Sequence, residues 1–130
     1  MPEMSWTVNI QVSGGTTMAV TADAQSAEAI DTVEVVLSPG DTNKVLDIQP
    51  GGAPAIHLLV IKSSFYGPEL SYKASDGSSD SLKVTLDAPQ VFSGGSLALF
   101  DLAPRKLKFT NTSPDKKATV LIFVARDATP

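Results

Sequence analysis

Two near-continuous apolar runs limit what this chain can fold into. The first is Ala55–Ser64, Ala-Ile-His-Leu-Leu-Val-Ile-Lys-Ser-Ser, and the second is Ala118–Ala125, Ala-Thr-Val-Leu-Ile-Phe-Val-Ala. Pro50-Gly51-Gly52 and Pro54 fence the first run upstream, and Gly67-Pro68 fences it downstream. Short runs rich in branched residues and bounded by turn formers read as strands covered on both faces. The two are therefore expected to be a pair of central strands. In the first, Ile56, Leu58 and Val60 are assigned to one side and Leu59 and Ile61 to the other, with His57 beside the second set.

Elsewhere the pattern is alternation. Trp6, Val8, Ile10 and Val12 alternate with Thr7, Asn9 and Gln11, which reads as a half-buried strand with Trp6 anchoring the core or an interface. Thr17–Ala22 follows with Met18 and Val20 inward. Thr32–Leu37, Lys44–Ile48, Leu70–Ala74, Leu82–Leu86, Ser96–Asp101 and Lys106–Thr110 read as further short strands. The stretch from Asp87 to Gly95 reads as a loop carrying two buried candidates, Val91 and Phe92. Asp23–Ile30 has helical leanings but is too short for a stable independent helix, and is assigned to a turn or crossover.

Strands at this spacing, with nine Gly and nine Pro between them, point to an all-β fold. The expectation is an antiparallel β-sandwich, jelly-roll-like, of about 8–10 short strands, with an immunoglobulin-like sandwich as the alternative. At 130 residues the chain is read as a single domain spanning residues 1–130.

Composition narrows the function classes. Without cysteine, neither disulfides nor thiolate metal sites are available. No apolar stretch approaches a membrane span. Met1-Pro2-Glu3-Met4-Ser5 has neither a basic nor an apolar leader region, so no secretory signal is expected and cytoplasmic synthesis is assumed. The net charge of −4 disfavours nucleic acid as a partner. Charge is also segregated: residues 1–100 hold four Lys and eleven acids, whereas residues 101–130 hold six Lys or Arg and three Asp. A basic patch meeting an acidic one on a neighbouring subunit would use that asymmetry.

Catalytic constellations are hard to assemble from these residues. His57 is the only histidine, so zinc, iron and triad chemistry lack partners; it reads as a packed strand residue. The loop Asp76–Asp80 could offer oxygens to calcium, but its spacing departs from the EF-hand and suits Asx turns equally. Asp101 comes nearest to a carboxylate in an apolar run. The glycine pairs 14–15, 51–52 and 94–95 lack the helix or Lys-Ser/Thr that phosphate loops require. Asn111-Thr112-Ser113 fits the glycosylation triplet. Tyr66 and Tyr72, across the Gly67-Pro68 turn, could stack a sugar ring.

These readings favour a non-enzymatic structural or assembly protein, a subunit of a homo-oligomer, without metal or cofactor. Trp6, Arg105, Lys106 and Lys108 are its candidate interface residues. The alternative is a carbohydrate-binding β-sandwich module with Tyr66 and Tyr72 as the stacking pair. The strand pattern over the whole chain resembles small β-sandwich proteins of phage virions, such as decoration or head-associated proteins. That resemblance implies self-association or contact with other virion subunits, and transfers no functional residue.

Overall fold

The two apolar runs lie side by side. A computed structural model describes residues 3–11, 13–15, 17–21, 25–26, 29–48, 56–76, 78–93 and 106–126. In chain order its strands are β1 (Glu3–Met4), β2 (Thr7–Gln11), β3 (Thr17–Thr21), β4 (Gln25–Ser26), β5 (Ala29–Leu37) and β6 (Lys44–Asp47), then β7 (Ile56–Ser63), β8 (Leu70–Ser75), β9 (Val84–Thr85), β10 (Gln90–Ser93), β11 (Lys106–Asn111) and β12 (Ala118–Arg126). All the pairings among them are antiparallel. The protein is all-β.

One four-stranded sheet has the order β10-β7-β12-β5 and the other β6-β11-β8-β9. The apolar runs are β7 and β12, which occupy the middle of the first sheet, with Leu59 opposite Val124 and Ile61 opposite Ile122. Their continuous hydrophobicity follows from that position, because each strand has apolar neighbours on both faces.

One core cluster joins the two four-stranded sheets. Leu37, Leu59, Ile61, Val120, Ile122 and Val124 from the first meet Leu70, Tyr72, Ala74, Leu107 and Phe109 from the second. On the second sheet the outward residues of β11 are Lys106, Lys108 and Thr110, so this strand alternates as a one-sided strand should. The first sheet is apolar on its other face as well, where Leu58 and Ala125 are buried with Trp6, Val60 and Phe123 packed against them.

A β-bulge alters the expected sidedness of β7. Ala125 pairs with Leu58, but Arg126 pairs with Ile56, so His57 is the extra residue. The bulge inverts parity at that point, and Ile56 packs against the main core rather than beside Leu58 and Val60.

Other sequence assignments change too. Gln90–Ser93 is a strand rather than a loop, and Val91 on its outer face is 45% exposed, whereas Phe92 packs on the main core. The strand expected over Leu82–Leu86 contracts to Val84–Thr85, leaving Leu82 89% exposed. The Ser81 N–H bonds the Ala74 carbonyl and its hydroxyl accepts from the Ala74 N–H, so the chain has not yet entered the ladder at Leu82. Within the stretch read as a crossover, Gln25 and Ser26 pair with Met4 and Glu3. The strand expected at Ser96–Asp101, the inward position of Val12 and the turn glycines 51–52 and 94–95 lie outside the described residues.

Candidate functional site

The β2–β3 hairpin breaks the rule that alternating strands bury one face. Its register places Val8 opposite Val20 and Ile10 opposite Met18, and directly opposed residues share a face. Gly14, with φ near 70°, supplies the left-handed backbone that the tight connection requires. The alternation is thus real, but both strands are exposed along their whole length. Val8, Ile10, Met18 and Val20 are 37–56% exposed. No residue of either strand carries a charge, and charge is the usual means of keeping an open strand edge from pairing. The expectation of a half-buried strand fails here because nothing in the chain covers its apolar face among the described residues.

Trp6 sits where the hairpin leaves the body. It is half-buried and packs against Leu58 and Ala125 on the outer face of the β10-β7-β12-β5 sheet.

Three of the six basic residues in 101–130 are paired with acids in place. Lys106 Nζ lies 3.7 Å from Asp47, Lys108 Nζ 3.0 Å from Asp80, and Arg126 Nη2 3.3 Å from Asp31. The late strands β11 and β12 are inserted between early strands, so charges segregated in sequence become interleaved in space. Arg105 lies outside the described residues. The Lys108 ammonium, then the Ser75 hydroxyl, hold the Asp80 carboxyl below the usual aspartate range.

Lys73 stands directly opposite Lys108 on the outer face of the second sheet. With Lys83, Ser71, Thr42 and Thr110 these lysines line an open groove of about 260 Å³. Glu69 also lines the groove, and Asp80 pairs with Lys108 beside it.

The tyrosines do not form a stacking platform. Tyr72 is 1% exposed, its ring tilted against Phe109 with centroids 5.7 Å apart. Its hydroxyl donates to Gln90 Oε1, whose amide nitrogen donates to the Thr85 carbonyl at 2.8 Å. Burial pushes the Tyr72 phenol well above its ordinary pKa. Tyr66 is half-buried, and its hydroxyl accepts the Ser63 N–H at 3.1 Å. A sugar has no Tyr72 face to stack on.

Two further readings meet the structure directly. Asp76 Oδ1 accepts the N–H groups of Ser78 and Ser79 at 2.8 and 2.7 Å, an Asx turn, and Asp80 bonds Lys108; both carboxylates of the calcium candidate are engaged. Asn111 is fully buried: its amide donates to the carbonyls of Lys116 and Leu37, and its oxygen accepts the Ser113 N–H at 3.0 Å. Such an amide is closed to glycosylation in the folded chain. Asp101 lies outside the described residues, among which no cluster of three or more potential metal-ligating side chains occurs.

No helix among the described residues is long and apolar enough to cross a membrane. Comparison with protein-family models, with curated proteins and with solved structures found no match.

Proposed function

We propose that this protein is a non-enzymatic structural or assembly protein, a jelly-roll-like β-sandwich that works as a subunit of a homo-oligomer of the phage-virion decoration type. The observation that carries the reading is the β2–β3 hairpin, uncharged and apolar on an exposed face. A two-stranded hairpin is marginal in water without a third strand or a packed face. Covering Val8, Ile10, Met18 and Val20 would recover roughly 1 kcal/mol per side chain, since about half of each is still exposed. A partner surface is the economical way to stabilise the element.

Charge segregation contributes less, because Lys106, Lys108 and Arg126 find acids within the same chain. The apolar arm replaces it as the basis of the reading. Mass in solution tests the proposal: light scattering on a size-exclusion column should give a multiple of the 13.6 kDa chain mass. A strict monomer at millimolar concentration would contradict it.

A further inference from the structure

The outer face of the β6-β11-β8-β9 sheet carries two neighbouring rows of side chains that differ in kind. Lys73 and Lys108 face each other across the β8–β11 ladder, and Ser71 and Thr110 face each other one step along it. Val84 pairs with Tyr72, so Lys83, immediately before β9, extends the lysine row on the far side of Lys73. All five residues line the groove. Adjacent strands lie about 5 Å apart, and like charges set opposite one another on them repel. Among the described residues only Lys108 of the three lysines is ion-paired, to Asp80, which Lys73 reaches only through its field. Glu69, the acid that lines the groove, precedes β8 and stands about 13 Å of extended chain from Lys73.

The hydroxyl row adds donors to these charges. Ser71 is only 8% exposed and lines the groove, and among the described residues its hydroxyl has no hydrogen-bond partner. Thr110 Oγ1 accepts the Asn43 N–H at 3.1 Å, which leaves its own proton to donate. Thr42 and Thr112, by contrast, already donate to the carbonyls of Gly40 and Glu69. The groove therefore offers the Lys73 and Lys83 ammonium groups and the Ser71 and Thr110 hydroxyls from neighbouring sheet positions.

We infer that this groove binds a phosphate group, held by the Lys73 and Lys83 ammonium groups with the Ser71 and Thr110 hydroxyls donating to its oxygens. The inference uses none of the residues on which the assembly reading rests. Four donors, two of them charged, exceed what the two oxygens and single charge of a carboxylate engage, whereas a phosphate dianion brings enough of both. Such a dianion also cancels the repulsion within the lysine row. The groove is open, so the remainder of a phosphate ester extends into solvent.

Titration with inorganic phosphate, against sodium chloride and sodium acetate at matched ionic strength, tests the site. Phosphate should raise the melting temperature of the parent protein above both controls, because a ligand of the folded state stabilises it. The backbone amides of Ser71, Lys73 and Thr110, followed by NMR, should shift saturably. Lys73→Thr removes a like-charge contact and keeps the fold, yet it should weaken phosphate binding about ten-fold. Ser71→Ala, which alters no charge, should also weaken it. Lys62→Thr, on the other four-stranded sheet, should change nothing. Glycerol 2-phosphate is the second probe. Shifts matching those of phosphate identify the ligand as a phosphate carried on a larger molecule, and their loss identifies it as the free ion; both results support the site. Absent shifts, shifts that chloride or acetate reproduces, or shifts undiminished in Lys73→Thr would overturn it.

Discussion

The Lys108 ammonium sits 3.0 Å from the Asp80 carboxylate while directly facing the Lys73 side-chain position across the β8–β11 ladder. Asp80 thus lies in the field of both opposed lysines. Like charges placed opposite one another in an antiparallel pair cost stability. Lys73→Thr should therefore raise stability by about 0.2–1 kcal/mol in low salt, and the gain should shrink as salt is added. Urea denaturation at two ionic strengths checks both statements.

Asp80 carries a pH dependence of definite sign. Its folded pKa is depressed by the Lys108 and Ser75 hydrogen bonds, so its contribution is complete above the unfolded aspartate value of about 3.9 and is lost as pH falls through the folded value. Asp80→Asn should lower the melting temperature slightly at neutral pH, and the difference should vanish under acid conditions. The carboxyl carbon of Asp80, followed by NMR, should titrate below the ordinary aspartate midpoint; a midpoint at or above it would contradict the account.

Asn111 is fully buried with both polar atoms of its side chain hydrogen-bonded. Besides its three side-chain bonds, its backbone N–H bonds the Asp41 carbonyl at 2.8 Å and its carbonyl accepts the Gly40 N–H at 2.9 Å. It therefore ties the β5–β6 connection to the β11–β12 turn. Asn111→Ala strands buried partners, and thermal or urea unfolding should register a loss of about 1–3 kcal/mol.

Leu59 and Val91 should respond very differently to truncation. Leu59 is fully buried between the central strand and the core, so Leu59→Ala should cost about 2–5 kcal/mol. Val91→Ala, at a half-exposed position on the outer face, should change the stability of a dilute, dissociated chain by less than about 0.5 kcal/mol. Denaturant melts of the two variants at low concentration make the comparison.

The all-β class and the central strands were legible in the sequence because continuous and alternating hydrophobicity directly reflect two-sided and one-sided burial. The bulge at His57 was not legible, since an extra residue leaves no compositional trace in an apolar run. Nor could the sequence distinguish Val8 and Ile10, apolar and exposed, from Leu107 and Phe109, apolar and buried; alternation reports that a strand has an apolar face, not what covers it. Tyr72 illustrates the converse. Its aromatic ring near the Gly67-Pro68 turn reads as a stacking surface, but the ring is buried against Phe109 and Gln90 satisfies its hydroxyl inside the fold. The cis pairing of acidic and basic segments likewise required strand order, which no local pattern encodes.

The claim that the β2–β3 hairpin is an assembly arm is tested most directly by amide hydrogen exchange as a function of protein concentration. An isolated hairpin opens readily, whereas amides of packed strands exchange only through larger unfolding events. The account expects β2 and β3 amides to gain protection as concentration rises, while β7 and β12 stay protected throughout. Hairpin amides that exchange near free-peptide rates at every concentration would contradict it.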